Sequence, residues 1–227
     1  MKRFYKSVGT LRQGDLFAVA LDGKVMKTPG GKALALQSPR LAHAVAGEWA
    51  AQTGEIDFES MPLTKLAYAA LDAPPQRTQI ATHILRFGRS DLVCYRATEP
   101  ELAAREAAAW DPPLAWLRKH YRAELATGTG MRFIEQPQAA LAALEAALAQ
   151  RDDYAFAALT AATLILGSLV LALALADGKL DAKAAFAAAH IDESFQAEKW
   201  GRDAEADRRF ARLAFELEAA ERFLRLL

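Results

Sequence analysis

Residues 191–207 read IDESFQAEKWGRDAEAD and crowd acidic side chains around one Trp and one Gly. Clustered carboxylates can serve as general acids, hold a metal, dock a partner, or simply coat a wet helix. On a helical wheel of about 100° per residue, Glu198 falls about 20° from Ile191, on the same face as Phe195. A carboxylate there needs a partner, because an unpaired buried charge is expensive. Glu193 and Trp200 fall on the opposite side, with Gln196 beside them, and Gly201 ends the helix. A large aromatic next to Glu193 and Gln196 makes a protein-contact patch. Glu205 can pair with Arg208 or Arg209 one turn on, which is the ordinary solvated-face reading. For most of these acids that bland reading is the better one, while Glu193, Trp200 and Glu205 together retain a binding role.

Other chemistry is hard to assemble. A di-iron bundle needs two Glu-x-x-His pairs and two more Glu. None of His43, His83, His120 and His190 has Glu three residues before it, and His190-x-x-Glu193 is the reverse order. No metal site is expected. There is no G-x-x-x-x-G-K-[ST] and no G-x-S-x-G, and the GTG at 128–130 is too short for a dinucleotide loop. The single cysteine, Cys94, sits in DLVCYR and reads as a packed thiol. No catalytic residue and no cofactor are expected. The alternative is a small helical-bundle enzyme or metalloprotein using the 190–205 acidic cluster.

The elements that must carry these residues fall into two regions. Up to residue 37 the chain shows four short β-prone segments (RFYKSVGTL, LFAVALDG, KVMKTP, KALALQ). They are separated by Gln13-Gly14-Asp15, Asp22-Gly23 and Pro29-Gly30-Gly31 turns, so a small antiparallel sheet is expected. Ser38-Pro39 then opens a helix over PRLAHAVAGEWAAQ. Leu41, Val45 and Trp49 make its buried stripe, so Trp49 reads as structural. MPLTKLAYAALD follows as a short helix, and Ala73-Pro74-Pro75 marks a boundary. Everything from residue 76 reads as helix: about 76–88, 100–110, 112–126, 137–150, 153–176, 181–190, 191–200 and 203–226. In AWDPPLAWL, Asp111 is expected to cap a new helix starting at Pro112. Trp110 and Trp116 would then flank a packed corner. The expected fold class is α+β: a β-rich domain with helices over 1–73 and an all-helical orthogonal bundle over 74–227.

Residues 155–176, AFAALTAATLILGSLVLALALA, carry no charge and as one helix would be about 33 Å long. Eight of the 22 are Ala. The flanks Asp152, Asp153 and Asp177 give no Lys/Arg asymmetry. A helix apolar all round also suits the centre of a bundle, so a buried helix is expected and no membrane insertion. Lys plus Arg equals Asp plus Glu at 28 each, which gives no electrostatic case for nucleic acid. The segment MKRFYKSVGTLRQGD has no apolar h-region, and one cysteine permits no internal disulfide. A bacterial-type cytoplasm is the expected compartment.

The ordered set RFYK, DGKVMKTP, PRLAHAVAGEWAAQ, MPLTKLA, DLVCYRA, WDPPLAW, LGSLVLALAL and DESFQAEKWGRDAEA resembles the assembly chaperones for the alpha subunit of the ATP synthase catalytic head. The resemblance runs from Arg3 to about Arg209. It implies no catalysis and no nucleotide. It implies a chaperone that holds unassembled alpha subunit, prevents its aggregation and gives way to the beta subunit. Relatives in eukaryotes would work in the mitochondrial matrix. The family's acidic C-terminal segment maps onto Glu193, Glu198, Trp200, Gly201 and Glu205. Arg105-Glu106 depart from the pattern, where a Gln before WDP is expected, and His190 stands where a small residue is usual. No oligomeric state is implied.

Overall fold

The computed structural model describes residues 1–201 and 203–227. It is an α+β protein with a small antiparallel sheet near the N-terminus and helices over most of the remainder. It separates into two compact units. One comprises Met1–Arg77, Asp152–Ala158 and Ala219–Leu227; the other comprises Thr78–Arg151 and Leu159–Glu218. The units are not two consecutive stretches of chain, since two later segments pack with the N-terminal one.

In the first unit, β1 (Val8–Gln13) and β2 (Leu16–Leu21) form a hairpin with Val8 opposite Leu21 and Gln13 opposite Leu16. β2 also pairs with β3 (Lys24–Val25) and β4 (Ala35–Leu36). Asp22 and Gly23 both take positive φ, +47° and +77°, the conformation that a two-residue hairpin turn requires. The Asp22 carboxylate accepts from the Ser7 amide at 2.8 Å, tying the turn back to the entry of β1.

Helix α1 (Pro39–Ala50) lies against β1 and β2. The Ser38 hydroxyl accepts from the Leu41 amide, Pro39 occupies the first turn, and Leu41, Ala42, Val45, Ala46 and Trp49 are buried. Helix α2 (Pro62–Asp72) has no capping side chain of its own. Glu48 of α1 supplies one: its two oxygens accept from the Leu63 amide at 2.8 Å and the Thr64 amide at 2.7 Å. Burial holds this carboxyl above the usual carboxylate range despite those donors. Segment 152–158 adds Phe156, under the Arg77 guanidinium, and Tyr154, stacked on Phe223.

The second unit holds α3 (Arg77–Arg89) from Thr78 onward, α4 (Pro100–Tyr121), α5 (Gln138–Ala149), α7 (Leu169–Ala176), α8 (Ala182–Ala189) and α9 (Ile191–Trp200). It also takes most of α6 (Asp153–Leu166) and α10 (Ala204–Arg225). A two-stranded parallel ribbon, β5 (Tyr95–Arg96) with β6 (Gly128–Thr129), lies in the same unit. Residues 95–96 and 128–129 were not expected to form strands.

Two expected helix boundaries are corrected. The chain does not restart at Pro112: α4 runs through Pro112 and Pro113 as one helix. Proline inside a helix removes backbone hydrogen bonds and strains the preceding turn. Here Trp110, Pro113 and Leu117 lie buried along one face, and the Trp110 indole N–H donates to the Ala188 carbonyl at 2.7 Å. That packing holds the helix together across the prolines.

Conversely, the apolar stretch expected as one helix over 153–176 is two. Gly167 takes φ +62°, and the Ser168 hydroxyl caps α7 by accepting from the Leu171 amide at 3.0 Å. All of Leu169–Leu175 is buried. Among the described residues no helix is long and apolar enough to cross a membrane.

Candidate functional site

α9 is anchored by Phe195, which is buried at 3% exposure. The Arg105 guanidinium and the Lys199 ammonium lie 5.0 and 4.0 Å from its ring centroid. Both cations are also ion-paired between α4 and α9. Arg105 meets Glu198 at 2.8 Å and Glu101 at 2.9 Å, and Lys199 meets Glu99 at 2.7 Å. Glu198, which the wheel placed on the apolar face, therefore has its partner in Arg105. It serves as a strap along the edge of α9.

The remaining residues of the predicted patch face outward. Glu193 and Gln196 are exposed, and Trp200 is 78% exposed. Gly201 closes the helix at φ +87°, its amide donating to the Ala197 carbonyl at 2.9 Å. α10 then opens with Asp203 as its cap, accepting from the amides of Glu205 and Ala206 at 2.8 and 2.7 Å. Glu205 stands exposed in that first turn. An exposed indole on a polar helix end has the chemistry of an apolar anchor with a polar rim.

Of the three structural tryptophans, Trp49 is 2% and Trp110 3% exposed. Trp116 is half-buried, stacked on His120 at 5.3 Å and edge-on to Tyr121. His190 is packed between Phe186 and Phe210, and its Nδ1 lies 2.9 Å from the Phe186 carbonyl. Among the described residues no group of three or more His, Cys, Asp and Glu gathers as a metal cage would require. Cys94 is buried, and its thiol is pushed up to about 12 by burial, with Asp91 nearby. That is the environment of an inert thiol.

One residue of this region lay outside the predicted patch. Glu106 of α4 is 1% exposed and accepts from the Ala97 amide at 2.7 Å. Its carboxyl is raised first by burial and also by a hydrogen bond with the Asp192 carboxyl of α9. A negative charge beside a buried carboxyl disfavours its ionised form. The available signal was position: Glu106 is four residues before Trp110 and shares its buried face.

The helical unit presents an exposed aromatic and carboxylate edge and packs its one thiol away, and the chain is similar to known chaperones. The sequence profile of the family described as ATP12 chaperone protein matches residues 2–118. The chain belongs to this ATP12 chaperone family. Atp12 from Paracoccus denitrificans is 38% identical and superposes with a TM-score of 0.92, covering 99% of this chain and 97% of that one. The Atu1473 protein from Agrobacterium tumefaciens is 39% identical with a TM-score of 0.93, over 99% of this chain and 85% of that one. Among curated proteins, the mitochondrial protein atp12 of Schizosaccharomyces pombe is 22% identical over 214 residues, 88% of this chain and 74% of that protein.

Proposed function

We propose that the protein is an assembly chaperone for the catalytic head of F-type ATP synthase. It binds the unassembled alpha subunit, prevents its aggregation, and yields it when the beta subunit arrives. The contact surface is the outer edge of α9 and the first turn of α10: Glu193, Gln196, Trp200, Gly201 and Glu205, with Glu198 holding α9 in place. The observation that carries this is membership of a chaperone family, by its profile over residues 2–118 and by a solved Atp12 that covers 99% of the chain, joined to a Trp200 left 78% exposed at the end of a helix held by ion pairs. The role needs no catalytic residue, nucleotide or metal. The proposed domains are 1–73 and 74–227, and the proposed compartment is a bacterial cytoplasm.

The test is light scattering of alpha subunit diluted from denaturant, without ATP. The expected result is suppression at near-stoichiometric ratio, weakened by Glu205→Lys. A folded, monodisperse protein that leaves the scattering unchanged would refute the reading.

A further inference from the structure

Between Ile191 and Arg209 the chain makes an excursion in which, among the described residues, only Phe195 is buried. Before it α8 buries Ala182, Ala185 and Ala188, and well beyond it α10 buries Leu217. Three rings pin the base of the excursion. His190 stacks on Phe186 at 4.1 Å and meets Phe210 edge-on at 5.0 Å, and Phe186 and Phe210 lie 6.0 Å apart. The chain entering and the chain leaving are therefore held together at one place. Both ends of α9 depart from helical backbone there: His190 at φ −118°, ψ 31°, and Gly201 at φ +87°, ψ 170°.

What holds α9 to the rest of its unit is one ring and a set of charges. It packs against α4, where Arg105 pairs with Glu198 at 2.8 Å and Glu99 with Lys199 at 2.7 Å. These four side chains are between 40% and 57% exposed, so salt can screen both pairs. The two cations also cover the ring of Phe195, so the pairs and the buried ring form one cluster. At the other end of α9 the Asp192 carboxyl faces the buried carboxyl of Glu106, which adds no attraction between opposite charges. His190 supplies no side-chain cap to α9. The contrast is α7, where all of Leu169–Leu175 is buried and docking is by apolar surface, which charge screening does not reach.

We infer that α9 is an electrostatic latch: it releases from α4 as a unit, and the ring contacts of His190 with Phe186 and Phe210 confine the opening to this segment. Trp200, Glu193 and Gln196 travel with it, so closure of the latch fixes where they are presented. The release is a property of the free chain; its bearing on partner contact rests on the function proposed above. Segments with few buried apolar contacts open locally at much lower free energy than the whole fold. A ten-residue helix freed from its neighbour is marginal in water, so release is read directly as amide exchange.

The experiment follows native-state amide exchange of the free, full-length protein over 191–200 and over α7. It is run in about 0.01 M and about 1 M KCl, between which the screening length falls from about 30 Å to about 3 Å. The parent is compared with Arg105→Gln/Lys199→Gln, and both are melted. In the parent, α9 should exchange roughly three- to tenfold faster at high salt, while α7 keeps its rate. The double variant should exchange fast over α9 in both salts, with no salt response left, and melt within about 2 °C of the parent. Parental α9 exchange that agrees within about 1.5-fold between the two salts, or that changes only in step with α7, would overturn the latch. So would a double variant that keeps the parental salt response. None of these outcomes touches the chaperone reading, which the scattering assay tests separately.

Discussion

Glu198 and Arg105 meet at 2.8 Å across α9 and α4, and the same guanidinium covers the ring of Phe195. The acidic segment is therefore divided in its contacts: Glu198 pairs with α4, while Glu193 faces solvent. Glu198→Lys should set two cations against each other and loosen α9, whereas Glu193→Lys should leave it in place. Amide hydrogen exchange over 191–200 checks this. Faster exchange is expected in the first variant and parental exchange in the second, with little change in global melting for either, because the pair is solvent-screened.

Glu205 and Trp49 should separate function from stability. Glu205 is exposed, so Glu205→Lys should lower protection of the alpha subunit while melting stays within about 2 °C of the parent. Trp49 is 2% exposed and packed edge-on against Tyr5 and Phe58. Trp49→Arg would bury an unpartnered charge in that cluster, a loss of about 4 kcal/mol or more, and should leave little folded protein at 37 °C. Circular dichroism melts of both variants decide. A Glu205→Lys protein that melted as early as Trp49→Arg would make Glu205 a structural residue.

The parts of the fold that local rules govern could be read from the sequence. The Asp22-Gly23 hairpin, the Ser38-Pro39 helix start and the stripe ending in Trp49 each depend on residues a few positions apart. The failures were places where tertiary packing overrode the local signal. Pro112-Pro113 is a strong breaker, but Trp110 reaching Ala188 holds α4 continuous. Gly167-Ser168 looked dilute within an apolar run, but Asp91, 79 residues away, accepts from the Val170 amide and helps set the break. Glu48 capping α2, and Glu106 meeting Asp192, are contacts between elements that no periodicity announces. At the site, the wheel could place Trp200 away from Phe195, but Arg105 as the partner of Glu198 lay 93 residues off.

Asp91 predicts an unusual pH dependence. It is fully buried and accepts from the Val93 amide at 3.4 Å and the Val170 amide at 3.0 Å, yet burial pushes its carboxyl up to about 6. A carboxyl with a folded pKa above its unfolded value contributes stability that is complete below the unfolded value. That contribution is lost as pH rises through the folded one. Between about pH 4 and pH 6 this group should remove about 3 kcal/mol as pH rises. Asp91→Asn should abolish that slope. It should also destabilise the protein at pH 7 by about 1–3 kcal/mol, because the amide turns a donor toward backbone donors. Urea melts of parent and variant at pH 4.5, 6 and 7.5 provide the comparison, and equal slopes for the two would exclude Asp91 as the source.

Glu106 and Asp192 give the complementary test. Buried Glu106 accepts from the Ala97 amide, and the Asp192 carboxyl of α9 adds to the burial that raises its pKa. Its folded pKa is raised, first by burial, so its contribution too is present at low pH and lost as pH rises through that folded value. Loss of the proton sets two carboxylates against each other across α4 and α9, with the guanidinium of Arg96 as the nearby counter-charge. Gln at this position keeps a carbonyl for the Ala97 amide and carries an N–H that can donate toward Asp192 at any pH. Glu106→Gln should therefore leave melting at pH 5 near the parental value and raise it at pH 8. It should also slow hydrogen exchange across the first turn of α9 at the higher pH. A variant less stable than the parent at both pH values would show that ionised Glu106 is not what loosens the α4–α9 contact at high pH.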